Sequence, residues 1–221
     1  MKKILIQIMY MLSTIVASAT VVTTFTGGDV GDGLDLSGDY VYAVNVGGSA
    51  VTVQGVPFTA DASTPGFTST SSSGSKGNWG TKPSYGITAN DNALETMMYE
   101  AAVASGLEPL VEANLDVSHG KLYELKLFFS ENFYQMASAR HIDITVEGVK
   151  IIDEFTPIPA VAGWLISPHP GVEVTYQFVS LDTVLNIDLT SGSSGNPILL
   201  GLTLRELNNY HVVSPTGNDV T

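Results

Sequence analysis

The chain has 221 residues and no cysteine, and 22 acidic against 9 basic residues give it a formal net charge of -13. That length suits one domain with a sizeable apolar core, and the absence of thiols excludes disulfides and thiolate metal ligands. The acidity speaks against nucleic acid and anionic membrane surfaces as partners, which leaves neutral ligands and cations.

Lys2 and Lys3 precede an apolar run from Ile4 to Val16 and the small-residue stretch Ala17-Ser18-Ala19. This is the pattern of a signal peptide over residues 1–19, and the run is shorter than the ~20 residues of a spanning helix. A secreted or cell-surface location is therefore expected, with no membrane insertion after cleavage. Residues 20–39 form a Gly/Asp-rich segment with Asp29, Asp32, Asp35 and Asp39 among five glycines. Turn chemistry is the favoured reading. Calcium is the alternative, although three-residue spacing of the acids departs from an EF-hand loop.

Tyr40 to Val46 reads as a strand stopped by Gly47-Gly48. The Ser/Thr/Gly-rich stretch from Ala62 to Lys82, around Trp79, reads as a long surface loop. Asn92 to Ser105 is rich in helix formers, yet an extended segment carrying Tyr99 is expected there, because pairing in a sandwich overrides propensity. Leu107 to Val117 is the next strand. Leu122 to Phe128, Ile142 to Glu147 and Lys150 to Asp153 then alternate or nearly alternate apolar and polar residues, the period-two mark of half-buried strands. Glu147-Gly148-Val149 makes a tight hairpin corner between two of them. Val172 to Val179, Thr183 to Leu189 and Ile198 to Leu204 complete the series. The pattern predicts an all-β fold, an antiparallel β-sandwich of jelly-roll type over residues 40–207, with a polar tail from 208 to 221.

In Phe128-Phe129-Ser130-Glu131-Asn132-Phe133-Tyr134 a strand ends and two rings follow at once, a place for contacts rather than core. With Tyr42-Ala43-Val44-Asn45-Val46-Gly47-Gly48, Gly55-Val56-Pro57-Phe58, Asp61, Tyr85-Gly86 and Thr96-Met97-Met98-Tyr99, this run resembles the malectin domains, which are carbohydrate-binding jelly rolls. Ile142 to Gly148 and Asn196-Pro197 with the strand after it extend the resemblance to Leu207. In the animal lectin of this family, aromatic side chains and one acid on loops at one end of the sandwich hold an α-linked glucose disaccharide. The resemblance carries the aromatics onto Tyr85, Tyr99, Phe133 and Tyr134. The acid falls on Gly195, with Ser193 and Ser194 beside it, so the particular ligand of the family is not implied.

Sugar chemistry suits these residues in its own right. A pyranose presents C–H groups on its face and hydroxyls on its rim, and tyrosine offers an apolar ring with a hydroxyl that donates and accepts. Rigid rings also lose little entropy on binding. Glu131 and Asn132, with Asn90, Asp91 and Asn92, are the candidates for a polar rim. Phe133 and Tyr134 are chain neighbours, so both are exposed only if the chain turns irregularly there. No catalytic residues are assigned. His119, His141, His169 and His211 have no metal-ligand spacing, and no serine sits in a nucleophile elbow. A carboxylate pair such as Glu131 with Asp91 has a separation that sequence does not reveal. The sequence reading is a non-catalytic carbohydrate-binding module for a neutral glucan or glucose-containing oligosaccharide. The alternative is a structural or adhesive extracellular domain, calcium-stabilised.

Overall fold

The computed structural model describes residues 19–68, 75–78, 80–103, 111–158 and 170–207. The strands in chain order are β1 (Thr20–Phe25), β2 (Tyr42–Asn45), β3 (Val51–Val53), β4 (Val56–Ala60), β5 (Phe67–Thr68), β6 (Ser75–Asn78), β7 (Glu100–Val103) and β8 (Val111–Asp116). They continue with β9 (Leu122–Phe129), β10 (Ile142–Val146), β11 (Val149–Phe155), β12 (Gly171–Val179), β13 (Val184–Ser191), β14 (Ile198–Leu199) and β15 (Gly201–Glu206). One helix, α1 (Ala89–Met97), lies between β6 and β7.

Two sheets form the sandwich, one in the order β1-β12-β9-β15-β2-β4-β3 and the other β11-β10-β13-β8-β5. A small third sheet, β14-β7-β6, sits beside them. The expected β-sandwich is present, antiparallel except where β2 runs parallel to β4. Alternation does what period-two patterning requires: Ile142, Ile144 and Val146 of β10 and Leu185, Ile187 and Leu189 of β13 are buried, and the residues between them are not. Between β10 and β11 the corner is a two-residue turn with Glu147 at φ 52° and Gly148 at φ 71°. Two successive positive φ angles give the twist of a tight hairpin, and glycine takes the second without strain.

β9 departs from alternation because Tyr123 through Phe129 are all buried. It lies between β12 and β15 in the middle of the larger sheet. Phe129 packs against Phe155 of β11 with ring centroids 4.9 Å apart, so it faces the second sheet. Phe128 meets Phe25 and Phe58 edge-on, at 6.4 Å and 6.2 Å, on the other face. The strand is covered on both sides, and the charged residues buried on it are paired, Lys126 with Glu173 and Glu124 with Arg205, while Leu127, Phe128 and Phe129 are consecutively apolar.

Four readings of the sequence are corrected. Of the segment from Asn92 to Ser105 expected to be extended, residues 92–97 belong to α1 and Glu100–Val103 is the strand β7; Thr88 caps α1 by accepting from the Asp91 N–H while Asp91 accepts from the Thr88 N–H. This capping box and the run of good helix formers act together, and propensity is not overridden. Thr20 to Phe25, read as turn chemistry, is an edge strand on β12, as its β-branched composition favours. The loop from Ala62 contains the short strands β5 and β6, paired with β8 and β7, while Trp79 lies outside the described residues. Ile198 to Leu204, read as one strand, divides at Leu200: β14 pairs with β7 and β15 crosses to the large sheet. The signal segment up to residue 18, residues 107–110 of the strand expected from Leu107 to Val117, His169 and the tail also fall outside the description. Among the described residues, no helix is long and apolar enough to cross a membrane.

Candidate ligand-binding site

At the end of β9 the backbone turns around one carboxylate. Glu131 Oε1 accepts from the N–H groups of both Phe133 and Tyr134, each at 2.9 Å. That turn removes the alternation of a strand, so adjacent rings both leave the core: Phe133 is 58% exposed and Tyr134 is half-buried. Their rings meet edge-to-face, with centroids 5.1 Å apart. Behind Tyr134 stands Arg140, with its guanidinium carbon 5.0 Å from the ring centroid. Arg140 Nε donates to Glu131 Oε2 at 2.5 Å, and both side chains are 1% exposed. Its Nη1 donates to the Asn196 carbonyl.

Asn132 links this turn to the other two candidate rings. Its Nδ2 donates to the Met98 carbonyl at 2.7 Å, one residue before Tyr99, and its own carbonyl accepts from Thr81 N–H. Its Oδ1 accepts from the Ser130 hydroxyl. The Tyr85 hydroxyl is buried beside Ser130 without reaching hydrogen-bond geometry, and burial pushes that phenol above its ordinary range against the opposing influence of Ser130. Glu95 of α1 accepts from the Tyr85 N–H at 2.8 Å. The Tyr85 ring rests on the core, 6.2 Å from Phe25. Asn132 thus ties the turn bearing Phe133 and Tyr134 to Met98, next to Tyr99, and to Thr81, four residues before Tyr85.

The polar residues expected on the rim lie beneath it. Glu131 and Asn132 are 1% and 4% exposed and are engaged by the backbone they organise. Asp91 is buried as the helix cap and also accepts from Gly28 N–H, chiefly for which its carboxyl is held below the ordinary aspartate range. Asn90 bonds Asp29 and Gln54, and Asn92 is exposed. Glu131 with Asp91 is therefore no acid-base pair open to a substrate.

Gly195 has φ 69°, and a Cβ there would lie 2.5 Å from the Ala139 carbonyl oxygen and 3.0 Å from Arg140 Cα. An acid at this position has no room, for reasons of backbone packing. The neighbouring serines join a cluster that the sequence did not indicate: His141 Nδ1 lies 2.8 Å from Ser194 Oγ, 3.2 Å from Ser193 Oγ and 3.7 Å from Glu154 Oε2. Glu154 accepts from both the N–H and the hydroxyl of Ser193 and holds a strained φ of 56°. Serine and carboxylate meet the same imidazole nitrogen, so this is not a relay of the Ser-His-acid kind, which uses both ring nitrogens. Ser193 is 39 residues from Glu154 and 52 from His141, and no local spacing could have revealed the cluster.

Of the four N-terminal aspartates, two come together with a third acid. Asp29, Asp32 and Asp91 each place a carboxylate oxygen within 4.8 Å of the others. Each accepts a hydrogen bond already, Asp29 from Asn90, Asp32 from Asp29 N–H and Asp91 from Gly28. Asp35 instead accepts from Ser37 N–H, and its carbonyl takes the Lys126 ammonium.

Comparison with known proteins is consistent with this architecture. The malectin domain model matches residues 40–202. The extracellular domain of ANXUR1 from Arabidopsis thaliana is similar in structure, with a TM-score of 0.59 and 15% identity over 77% of this chain and 49% of that one. A structure of the plant peptide RALF23 in complex with FER and LLG2 matches with a TM-score of 0.61 and 16% identity, over 76% and 49%. A calcium-binding mutant of Bacteroides uniformis β-glucuronidase 2 matches with a TM-score of 0.54 and 16% identity, over 75% and 18%. The chain spans about half the length of the plant chains it matches. At these identities the likeness shows the fold. No curated protein matches the sequence.

Proposed function

We propose that this chain, which belongs to the malectin domain family, is a non-catalytic carbohydrate-binding module of an exported protein. Its ligand is a neutral glucan or a glucose-containing oligosaccharide, held by stacking on Tyr85, Tyr99, Phe133 and Tyr134. The observation that carries this reading is the turn at Glu131, which sets two adjacent rings outside the core and ties them, through Asn132, to the segments bearing the other two. Flat rings braced from behind lose little freedom on binding, which favours a shallow site. The net charge of -13 favours a neutral sugar over an anionic one.

The test is a glycan array followed by calorimetric titration of the best ligand. Phe133→Ala, at an exposed ring, should weaken binding by about tenfold or more, equivalent to about 1.4 kcal/mol, with an unchanged melting temperature. Wild-type affinity in both Phe133→Ala and Tyr134→Ala would remove the platform from the site.

A second reading rests on Phe133 and Met136, 58% and 66% exposed on the same loop. Exposed apolar side chains this close suit a peptide or protein contact, and one structural neighbour is a complex containing a peptide. A domain that binds no glycan on the array but loses a protein ligand in Met136→Lys would fit this reading.

A further inference from the structure

A groove of about 480 Å³ opens on the flank of the large sheet, away from the loop site. Tyr40, Tyr42, Pro57, Ser63, Thr64 and Pro65 are among the residues that line it. Its place follows from strand register. Tyr42 stands opposite Leu204 of β15, which stands opposite Leu125 of β9. Leu125 is five residues before Ser130, so at about 3.4 Å per residue the groove lies roughly 17 Å along the strand from the aromatic turn.

We propose that this groove is a second carbohydrate subsite, taking neutral sugar units of a polysaccharide chain. The inference rests on the reading that the domain binds neutral glycans, and gives it a second point of contact. Both tyrosine rings are half-buried and pinned: Tyr40 Oη donates to the Ser37 carbonyl and Tyr42 Oη to the Asp116 carbonyl. A pinned ring offers its face without losing rotamer freedom, and Pro57 and Pro65 add rigid apolar surface. Around them stand Ser63 and Asp39, polar residues suited to the hydroxyl rim of a sugar, while the Thr59 and Thr64 hydroxyls bond each other and the Ala43 and Ala60 carbonyls. No lysine or arginine lines the groove among the described residues, and Arg205, which stands beside Gly38, is engaged by Glu124 and the Ser37 carbonyl. The volume lies within the ~300–1,000 Å³ of small-molecule pockets, and the open form admits the interior of a chain as well as its end. Burial pushes the Tyr40 phenol up to about 12 and raises Tyr42 as well, so both stay protonated near neutral pH and keep the hydrogen bonds that pin them.

Two sites on one domain raise the effective concentration of a long ligand at the second site once the first is filled. The experiment is isothermal titration of the full chain with cellobiose, maltose and laminaribiose, which are too short to reach both sites at once, so that each site is counted separately. Ser63→Trp and Pro57→Lys obstruct the groove at exposed positions, and Phe133→Ala disables the loop site. The expected result is two sites per chain for one of the three sugars, one site in either groove variant or in Phe133→Ala, and none in the combination. One site in the wild type, lost in Phe133→Ala and intact in both groove variants, overturns the groove and leaves the loop reading standing. One site lost in the groove variants but intact in Phe133→Ala keeps the groove and removes the loop platform. No heat with any of the sugars overturns both. Unchanged thermal melting of each variant separates obstruction from misfolding, and Pro57→Lys and Ser63→Trp check each other.

Discussion

Removing the Glu131 carboxylate by Glu131→Ala separates two roles for this residue, a ligand contact on the rim and a support beneath the rings. The geometry favours support. The substitution strands the Arg140 guanidinium, 1% exposed, without its carboxylate, and leaves the Phe133 and Tyr134 N–H groups without their acceptor. Breaking a buried ion pair from one side costs about 3–5 kcal/mol, and the unpaired N–H groups act in the same direction but are not additive with it. For a domain of this length each kcal/mol is about 2–4 °C in melting temperature, so a fall of roughly 6–20 °C is expected. Glu131→Gln keeps an acceptor for the two N–H groups and should fall between wild type and Glu131→Ala. Glu131→Gln combined with Arg140→Met removes both charges and should recover part of the loss. Urea and thermal unfolding followed by circular dichroism measure these differences, with glycan titration alongside. If Glu131→Ala melted within 2 °C of wild type while sugar binding vanished, the carboxylate would be facing ligand and the structural argument would be wrong.

Three further outcomes are expected. Gly195→Ala places a methyl group 2.5 Å from the Ala139 carbonyl at φ 69°, and should cost at least the ~1–2 kcal/mol of a left-handed L-residue, read as a lower urea midpoint; no change would mean that this loop yields freely. Thr88→Ala removes the side-chain half of the α1 capping box and should cost about 1 kcal/mol, whereas Thr88→Ser should restore most of it. Asp91, held below its ordinary value chiefly by Gly28 N–H, contributes stability that is complete above the unfolded aspartate value of about 3.9 and is lost as pH falls through its lower folded value. Asp91→Asn should therefore flatten the acid limb of the stability profile, and a parallel profile would assign that limb to other carboxylates.

Strands such as β10 and β13 were legible because alternation is a local pattern with one half-buried answer. The rings were legible for a related reason: Phe133 and Tyr134 follow a strand end, where core packing no longer claims them. Glu131 and Asn132 were misplaced because the same polarity serves a rim or a buried turn, and their contacts decide which. α1 was read as extended although its composition and the Thr88 cap favoured helix, an expectation about tertiary override that the structure did not meet.

Composition and local periodicity by themselves determined the exclusion of disulfides, the unfavourable case for polyanionic partners and the all-β sandwich, while the candidate rings came from the resemblance to the malectin domains. The division of Ile198 to Leu204 between two sheets depended on tertiary structure, as did the Arg140 bridge between Glu131 and Asn196, the cluster of His141 with Glu154 and the serines, and the groove at Tyr40 and Tyr42. These features join residues that are tens of positions apart, such as Asn132 with Met98 at a separation of 34 and Arg140 with Asn196 at 56. Backbone preference acts over a few residues, but a buried charge or amide finds its partner wherever packing brings one, and no local pattern in the chain records which partner that is.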